Sequence, residues 1–274
     1  MELGEAGNIY KLVKARHGTY LVNPADVFLG RAILVYGEYA EAEWHMLKIL
    51  LRDGKDAIEV GANIGSHTVS IASELTRMGR RLLAIEPQPV VFQNMCANLA
   101  LNGLLNVIAE NAACGDISGW LTFTTPDYHH VNNSGGVSML EDGTGDQRIR
   151  SARLDDLVPD GFDVGLIKID VEGFEQKVLE GATRTLARFR PIIYLENDRL
   201  DKSKDLIEWL WRAQYKLWWH IPCLFNPNNF FGIAENIYGR VFSFNMLALP
   251  KESGAEIEGL MRIDDSNVHP TNPA

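Results

Sequence analysis

Cysteine is scarce in this chain of 274 residues; the three present, Cys96, Cys114 and Cys223, are widely spaced and odd in number. That excludes a disulfide framework and leaves no C-x-x-C pair to hold a metal. Positive charge is short as well, since 26 Lys and Arg against 36 Asp and Glu give a formal net charge of −10. A nucleic-acid partner needs a basic face for its phosphates, and the run Arg148, Arg150, Arg153 is too sparse to supply one. No apolar run is long enough to span a bilayer, and the N-terminus does not read as a signal peptide. A soluble, cytoplasmic protein with neither nucleic acid nor membrane as partner is the expectation. Also missing is the G-x-G-x-x-G fingerprint that cradles a pyrophosphate.

What is present is a core-forming chain with 46% hydrophobic residues, read as one large domain with extensions. Its organising stretch is residues 56–68, Asp-Ala-Ile-Glu-Val-Gly-Ala-Asn-Ile-Gly-Ser-His-Thr. An apolar run with β-branched Ile58 and Val60 ends at Gly61, and a helical pattern begins beyond Gly65. This is a buried strand turning into a helix, which presents backbone N–H groups to a ligand. Roughly twenty residues on, a second apolar run ends in Glu86, the usual position for an acidic partner of ribose hydroxyls. Glu59, two residues before the first glycine, would repel a diphosphate. It suits a ligand with a positive amine and no phosphate, and S-adenosyl-L-methionine is such a ligand.

Residues 1–52 read as an N-terminal cap region, with strand-like segments at 20–22 and 33–36 and a helix at 41–51. The main domain is 53–250. Strands at 56–61, 81–86, 107–111, 164–170 and 192–196 alternate with helices at 66–77, 87–102, 174–189 and 202–212. That order means right-handed βαβ units on a parallel sheet. The alternation is interrupted by strand-like segments at 120–124 and 149–153, flanking a polar stretch at 126–146 too long for a plain connector. Strands at 216–220 and 241–249 follow, separated by an aromatic and Asn/Pro-rich segment at 222–238 that suits either a lid or a surface loop. Residues 251–274 form a polar tail, expected to fray.

Several runs carry a family likeness: Glu59-Val-Gly-Ala-Asn-Ile-Gly-Ser-His-Thr68, Glu86-Pro87, Asn132-Asn-Ser-Gly-Gly-Val137, Leu154-Asp-Asp-Leu157 and Asn245-Met-Leu247. The most specific are Ile167-Lys-Ile-Asp-Val-Glu-Gly-Phe-Glu175 and Val178-Leu-Glu-Gly-Ala182. In these the chain resembles the FkbM-type methyltransferases, a branch of the class I S-adenosylmethionine-dependent fold. The resemblance covers about 56–250, with gaps, and leaves the first fifty residues unmatched.

It implies an α/β, Rossmann-like class I methyltransferase fold. Its seven-stranded, mostly parallel sheet would have helices on both faces, one antiparallel strand near the C-terminus, and the cofactor across its carboxyl edge. By position, Glu59 would meet the methionine amine, and Gly61, Ala62, Asn63, Gly65 and Ser66 would pass under the ligand. Glu86, followed by Pro87, would take the ribose hydroxyls, Asn111 and Ala112 would flank the adenine, and Asp170 would complete the edge. Asn63 stands where the commoner class I loop has a middle glycine, as is usual within the branch.

The candidate catalytic groups are Asp170 and Glu172, at the tip of the strand ending at 170, and His220, at the end of a strand-like run. His129 and His130 lie in the polar stretch and point apart, and His67 fits a packing or capping place at a helix start. No resident metal is expected. The reading is O-methylation of a hydroxyl on a small-molecule, natural-product or glycan acceptor, and a homo-oligomer stays open. The rivals are an NAD-dependent oxidoreductase and a non-catalytic cofactor- or nucleotide-binding module.

Overall fold

The computed structural model describes residues 9–51 and 54–271. An antiparallel hairpin, β1 (Lys11–Lys14) and β2 (Thr19–Val22), is followed by α1 (Leu29–Tyr36) and α2 (Glu41–Leu50). The sheet then begins with β3 (Asp56–Val60), α3 (Ser66–Arg77), β4 (Leu82–Ile85), α4 (Pro89–Leu101) and β5 (Val107–Glu110). A small three-stranded sheet follows: β6 (Ala113–Cys114), β7 (Gly119–Phe123) and β8 (Gln147–Ala152). After a short α5 (Leu154–Leu157), the main sheet resumes with β9 (Val164–Ile169), α6 (Glu175–Glu180), α7 (Thr183–Phe189) and β10 (Ile192–Glu196). It is completed by α8 (Leu200–Arg212), β11 (Tyr215–His220), β12 (Asn245–Pro250) and β13 (Met261–Arg262).

The main sheet runs β13-β11-β12-β10-β9-β3-β4-β5. The seven expected strands are there, parallel except for β12, which is antiparallel to both β10 and β11. An eighth, two-residue strand, β13, extends the β11 edge. The chain steps outward from β3 to β5 and returns to the other side of β3 at β9. The β3–β9 junction is therefore a switch in strand order, where crevices for ligands form at the carboxyl ends.

The inner strands are buried on both faces, so successive side chains feed two cores. Ala57, Leu82, Ala84 and Leu166 pack under α2, α3 and α4, while Ile58, Val60, Leu83, Ile167 and Ile169 pack under α6, α7 and α8. The N-terminal hairpin belongs to the first of these cores through Tyr20 and Val22. It is tied to α4 by Asn98, whose side-chain oxygen accepts from Leu21 N–H (2.7 Å).

Four features depart from expectation beyond shifts of a residue or two at element ends. Residues 33–36 are helical, because Leu29, Ala32, Ile33 and Tyr36 fall on one buried face at helical spacing and override the β-branched bias. The helix expected over 174–189 is two, broken where Gly181 meets the Gly115 carbonyl; a Cβ there would lie 2.0 Å from that oxygen. The last long strand starts only at Asn245. The tail is held to the core through Thr271: His269 is buried against Trp219 and Phe244 and pairs with Asn197 O at 2.8 Å. The cap-to-domain boundary expected at 52/53 lies outside the described residues. Among the described residues no helix is long and apolar enough to cross a membrane.

Candidate active site

At the β3–β9 switch the carboxyl tips of the strands open into a cavity of about 450 Å³. Its floor is the turn after β3. Gly61 and Ala62 donate their N–H groups to Ile85 O (2.9 and 3.0 Å), which ties the turn to β4. Gly61 has φ +85°, and a Cβ there would sit 1.7 Å from Asp170 O, so no side chain fits between the two strand tips. Asn63 is also left-handed, at φ +51°, a conformation Asn tolerates. Its side-chain oxygen accepts from Ile64 N–H at 2.7 Å. Gly65 caps α3 without a side-chain hydrogen bond, leaving Ser66 and His67 in the cavity wall.

Two buried carboxylates face this floor. Glu86 accepts from Asn63 N–H through Oε2 (2.9 Å) and from Gln88 N–H through Oε1 (2.8 Å). Burial raises its pKa to about 7, against the lowering effect of those two N–H groups. Glu59 is buried at the end of β3, and its Oε2 has no hydrogen-bond partner among the described residues. Burial raises the Glu59 pKa, partly offset by Lys168.

Lys168 is itself buried in β9, with Nζ 3.2 Å from Asp170 Oδ2 and 3.7 Å from Glu59 Oε1. Burial alone would pull the lysine pKa down; Asp170, Glu59 and Glu43 outweigh it and hold the ammonium charged. A charge in a dry strand persists only when paired in this way.

The raised Glu86 pKa has a consequence for stability. The folded chain keeps this proton up to about pH 7, whereas an unfolded chain would lose it near its ordinary value of 4.5. This contribution is complete below 4.5 and is lost as pH rises through 7. Urea midpoints measured between pH 5 and pH 8 should fall less in Glu86→Gln than in the parent chain. An unchanged slope would place the titration on other groups.

Beyond β9 the chain turns sharply. Glu172 is left-handed at φ +53° and Gly173 follows at +93°, a local strain of the kind that gathers at working sites. Glu175 stabilises the turn by accepting from Gly173 N–H at 3.0 Å. Glu172 ion-pairs with Arg199. Burial, then the neighbouring Asp170 charge, push its pKa up to about 7 despite that arginine. Glu196 and Asp198, at the tip of β10, join Glu172 in the wall. Burial and the carboxylates around it hold the Glu196 pKa well above the ordinary range.

Of the residues singled out from the sequence, Glu59, Gly61, Ala62, Asn63, Ser66, Glu86, Pro87, Ala112, Asp170 and Glu172 all line this one cavity. Gly65 lies behind the floor against Met95, and Asn111 braces β4 by donating to the Glu86 and Pro87 carbonyls (both 2.9 Å). His220 is not in the wall; it pairs with Tyr194 Oη at 2.8 Å inside the sheet. His130 is exposed and paired with Asp127.

Other wall residues went unnoticed in the sequence. Lys168 was visible as a charge inside an apolar strand, and Glu196 and Asp198 as a strand-tip pair like Asp170 and Glu172. Tyr39, Glu43, Phe28 and Phe242 carried no such signal, because they arrive from outside the strand–helix alternation. His67 is buried in the wall, 3.6 Å from Glu43 Oε2. Burial would raise the Glu43 pKa, but His67, Ser243 and Lys168 bring it down to about 2.

With this geometry in hand, a family model for the FkbM methyltransferase domain matches residues 59–217, from the Glu59 floor to the last parallel strand. The chain belongs to that family. Methyltransferase 1 of Beauveria bassiana is 28% identical over 148 residues, covering 47% of this chain and 59% of that protein. Methyltransferase sdnD of Sordaria araneosa is 27% identical over 198 residues, covering 56% of this chain and 76% of that one. The chain thus spans under two thirds of the first relative's length. Among solved structures, the FkbM methyltransferase of Methylobacillus flagellatus superposes with a TM-score of 0.43 at 18% identity, over 71% of this chain and 44% of that one.

The FkbM family takes S-adenosyl-L-methionine as cofactor, and the cavity suits it. A buried carboxylate oxygen without a partner, Glu59 Oε2, fits an ammonium group. Glu86 fits a diol. The bare glycine turn lets a flat ligand lie against backbone.

Proposed function

We propose that this FkbM-family protein transfers a methyl group from S-adenosyl-L-methionine to a hydroxyl oxygen of a small acceptor. The observation that carries the reading is the pairing of Asp170 and Glu172 on the wall that also holds Glu59 and Glu86. The cofactor, when bound, supplies a methyl on a positive sulfonium, and the electrons of the broken C–S bond stay on sulfur. Glu59 takes the methionine ammonium, Glu86 the ribose hydroxyls, and the Gly61–Ala62–Asn63 backbone supports the ligand from below. Ala112 flanks the adenine, and Asp170 keeps Lys168 and the strand tips in register.

Glu172 receives the acceptor's proton as the new O–C bond forms. With a pKa of about 7 it is both available as a base and strong enough to act near neutral pH. Holding the acceptor oxygen in line with the bound cofactor's methyl would supply roughly 7–11 kcal/mol of the barrier. The base adds a factor of about 10²–10⁴.

The test is methyl transfer from isotope-labelled cofactor to a panel of hydroxyl, amine and carboxyl compounds, with the product's new bond identified by NMR. Label on a hydroxyl oxygen supports the reading; label only on nitrogen or only on a carboxyl oxygen overturns it. In parallel, Glu59→Gln should weaken cofactor binding about tenfold or more, since a buried ammonium loses its charged partner. An unchanged affinity would remove Glu59 from the site.

A further inference from the structure

The cavity extends well past the cofactor cradle, and the wall at that end has a distinct composition. It is built from Phe28 and α1 and from residues 221–244, which pack on each other: Phe28 stacks on Tyr238, and at the far end of α1 Tyr36 Oη donates to Glu235 O and accepts from Ile237 N–H, both at 2.8 Å. This wall presents Phe28, Leu29, Leu224, Val241, Phe242 and Phe244 to the cavity. Two of these rings, Phe28 at 37% and Phe242 at 41% exposed, remain open to solvent at a concave site. Large apolar groups left wet where a cavity opens mark a surface that a ligand covers.

The charge in the cavity narrows the ligand further. Seven carboxylates line it against one lysine, Lys168, and one imidazole, His67. Arg199, pairing with Glu172 and Asp198, offsets one more. Protons held by Glu86, Glu172 and Glu196 reduce the total without reversing its sign. An anion entering a partly dry cavity of this sign meets net repulsion from the protein's own groups.

We infer that the acceptor is an uncharged compound with an apolar ring system, seated between Phe28 and Phe242 with its hydroxyl toward Glu172. Phosphorylated, sulfated and carboxylate-bearing acceptors are disfavoured by this charge. Free sugars are disfavoured because Leu29, Leu224 and Val241 line that wall with aliphatic surface, which leaves Ser243 and Asn245 as its neighbouring hydrogen-bonding groups. This rests on the methyltransferase reading for the place of the cofactor. The apolar wall and the charge balance stand apart from it.

The experiment is calorimetric titration of the S-adenosylhomocysteine-loaded protein with naphthol, naphthyl phosphate and methyl glucoside. Naphthol should bind, and naphthyl phosphate about tenfold or more weakly than naphthol, because its charge is unpaired in the cavity. The glucoside should bind more weakly still. Phe242→Ala should weaken naphthol roughly fivefold or more through lost apolar contact, while its affinity for S-adenosylhomocysteine is kept. Naphthyl phosphate or glucoside matching naphthol, no naphthol binding, or an indifferent Phe242→Ala variant would each overturn the inference. Loading is measured first: failure to load counts against the cofactor site alone, and the same probes are then compared on the bare protein.

Discussion

Gly61→Ala is expected to be the most damaging single-methyl change in the chain. The residue sits at φ +85°, and an added Cβ would lie 1.7 Å from Asp170 O. Asp170 N–H in turn donates to Val60 O at 3.0 Å, so this contact closes the β3–β9 pair at its carboxyl end. To admit the methyl the two strand tips must part, which drags Lys168 away from Glu59 and breaks a buried ion pair. A loss of about 3 kcal/mol or more in urea unfolding is expected, the range reached by strained, overpacked positions. Cofactor binding should disappear with it. Gly79→Ala is the control, since Gly79 has φ +66° with nothing within 4 Å of the added atom. It should cost only about 1–2 kcal/mol, the price of the left-handed backbone alone. Equal losses in the two variants would mean that the β3–β9 closure does not depend on a bare residue 61.

The second large effect is on turnover. Glu172→Gln should lower kcat about 10²–10⁴-fold, the usual contribution of a general base, while leaving cofactor affinity nearly unchanged. The pH profile supplies the sign. In the parent chain Glu172 must lose its proton to act, so kcat rises as pH passes through about 7. In Glu172→Gln that limb should flatten. Glu175→Gln, three residues on in the same turn, should instead lower stability, because its carboxylate holds the Gly173 N–H. A Glu172→Gln enzyme with full kcat and the parent pH profile would take the base role from this residue.

Much of this architecture was legible in the sequence, for a simple reason. The β3 to α4 and β9 to α8 segments obey local rules: apolar runs of strand length, glycines where the chain turns, and periodic apolar faces on the helices between. Such rules also located Glu59, Glu86, Asp170 and Glu172, because strand-tip acids beside a glycine turn announce themselves in one dimension. The misplaced residues failed through tertiary context. His220 ends its strand like a site residue, yet strand β11 lies beyond β12 and β10, away from the switch point, so its ring meets Tyr194.

Residues 33–36 look like a strand until Leu29 and Ala32 are included in the period. The long polar stretch and the aromatic segment after β11 carry no periodicity, and their placement over the cavity comes from contacts distant in the chain. Asn132 N–H donates to Ala25 O (2.9 Å), and Phe231 N–H to Tyr36 O (3.1 Å). The tail's docking through His269 is of the same kind. What these segments share is that each folds only against something else.

The central claim is that the turn after β3 and the acids at the strand tips form a site for S-adenosyl-L-methionine. Calorimetric titration of S-adenosyl-L-methionine, S-adenosylhomocysteine and NAD against the purified protein tests it most directly. Micromolar binding of the first two, roughly −8 kcal/mol, with no heat from NAD, is the predicted result. Binding of NAD alone would contradict it, and with it the assignment of Glu59 and Glu86.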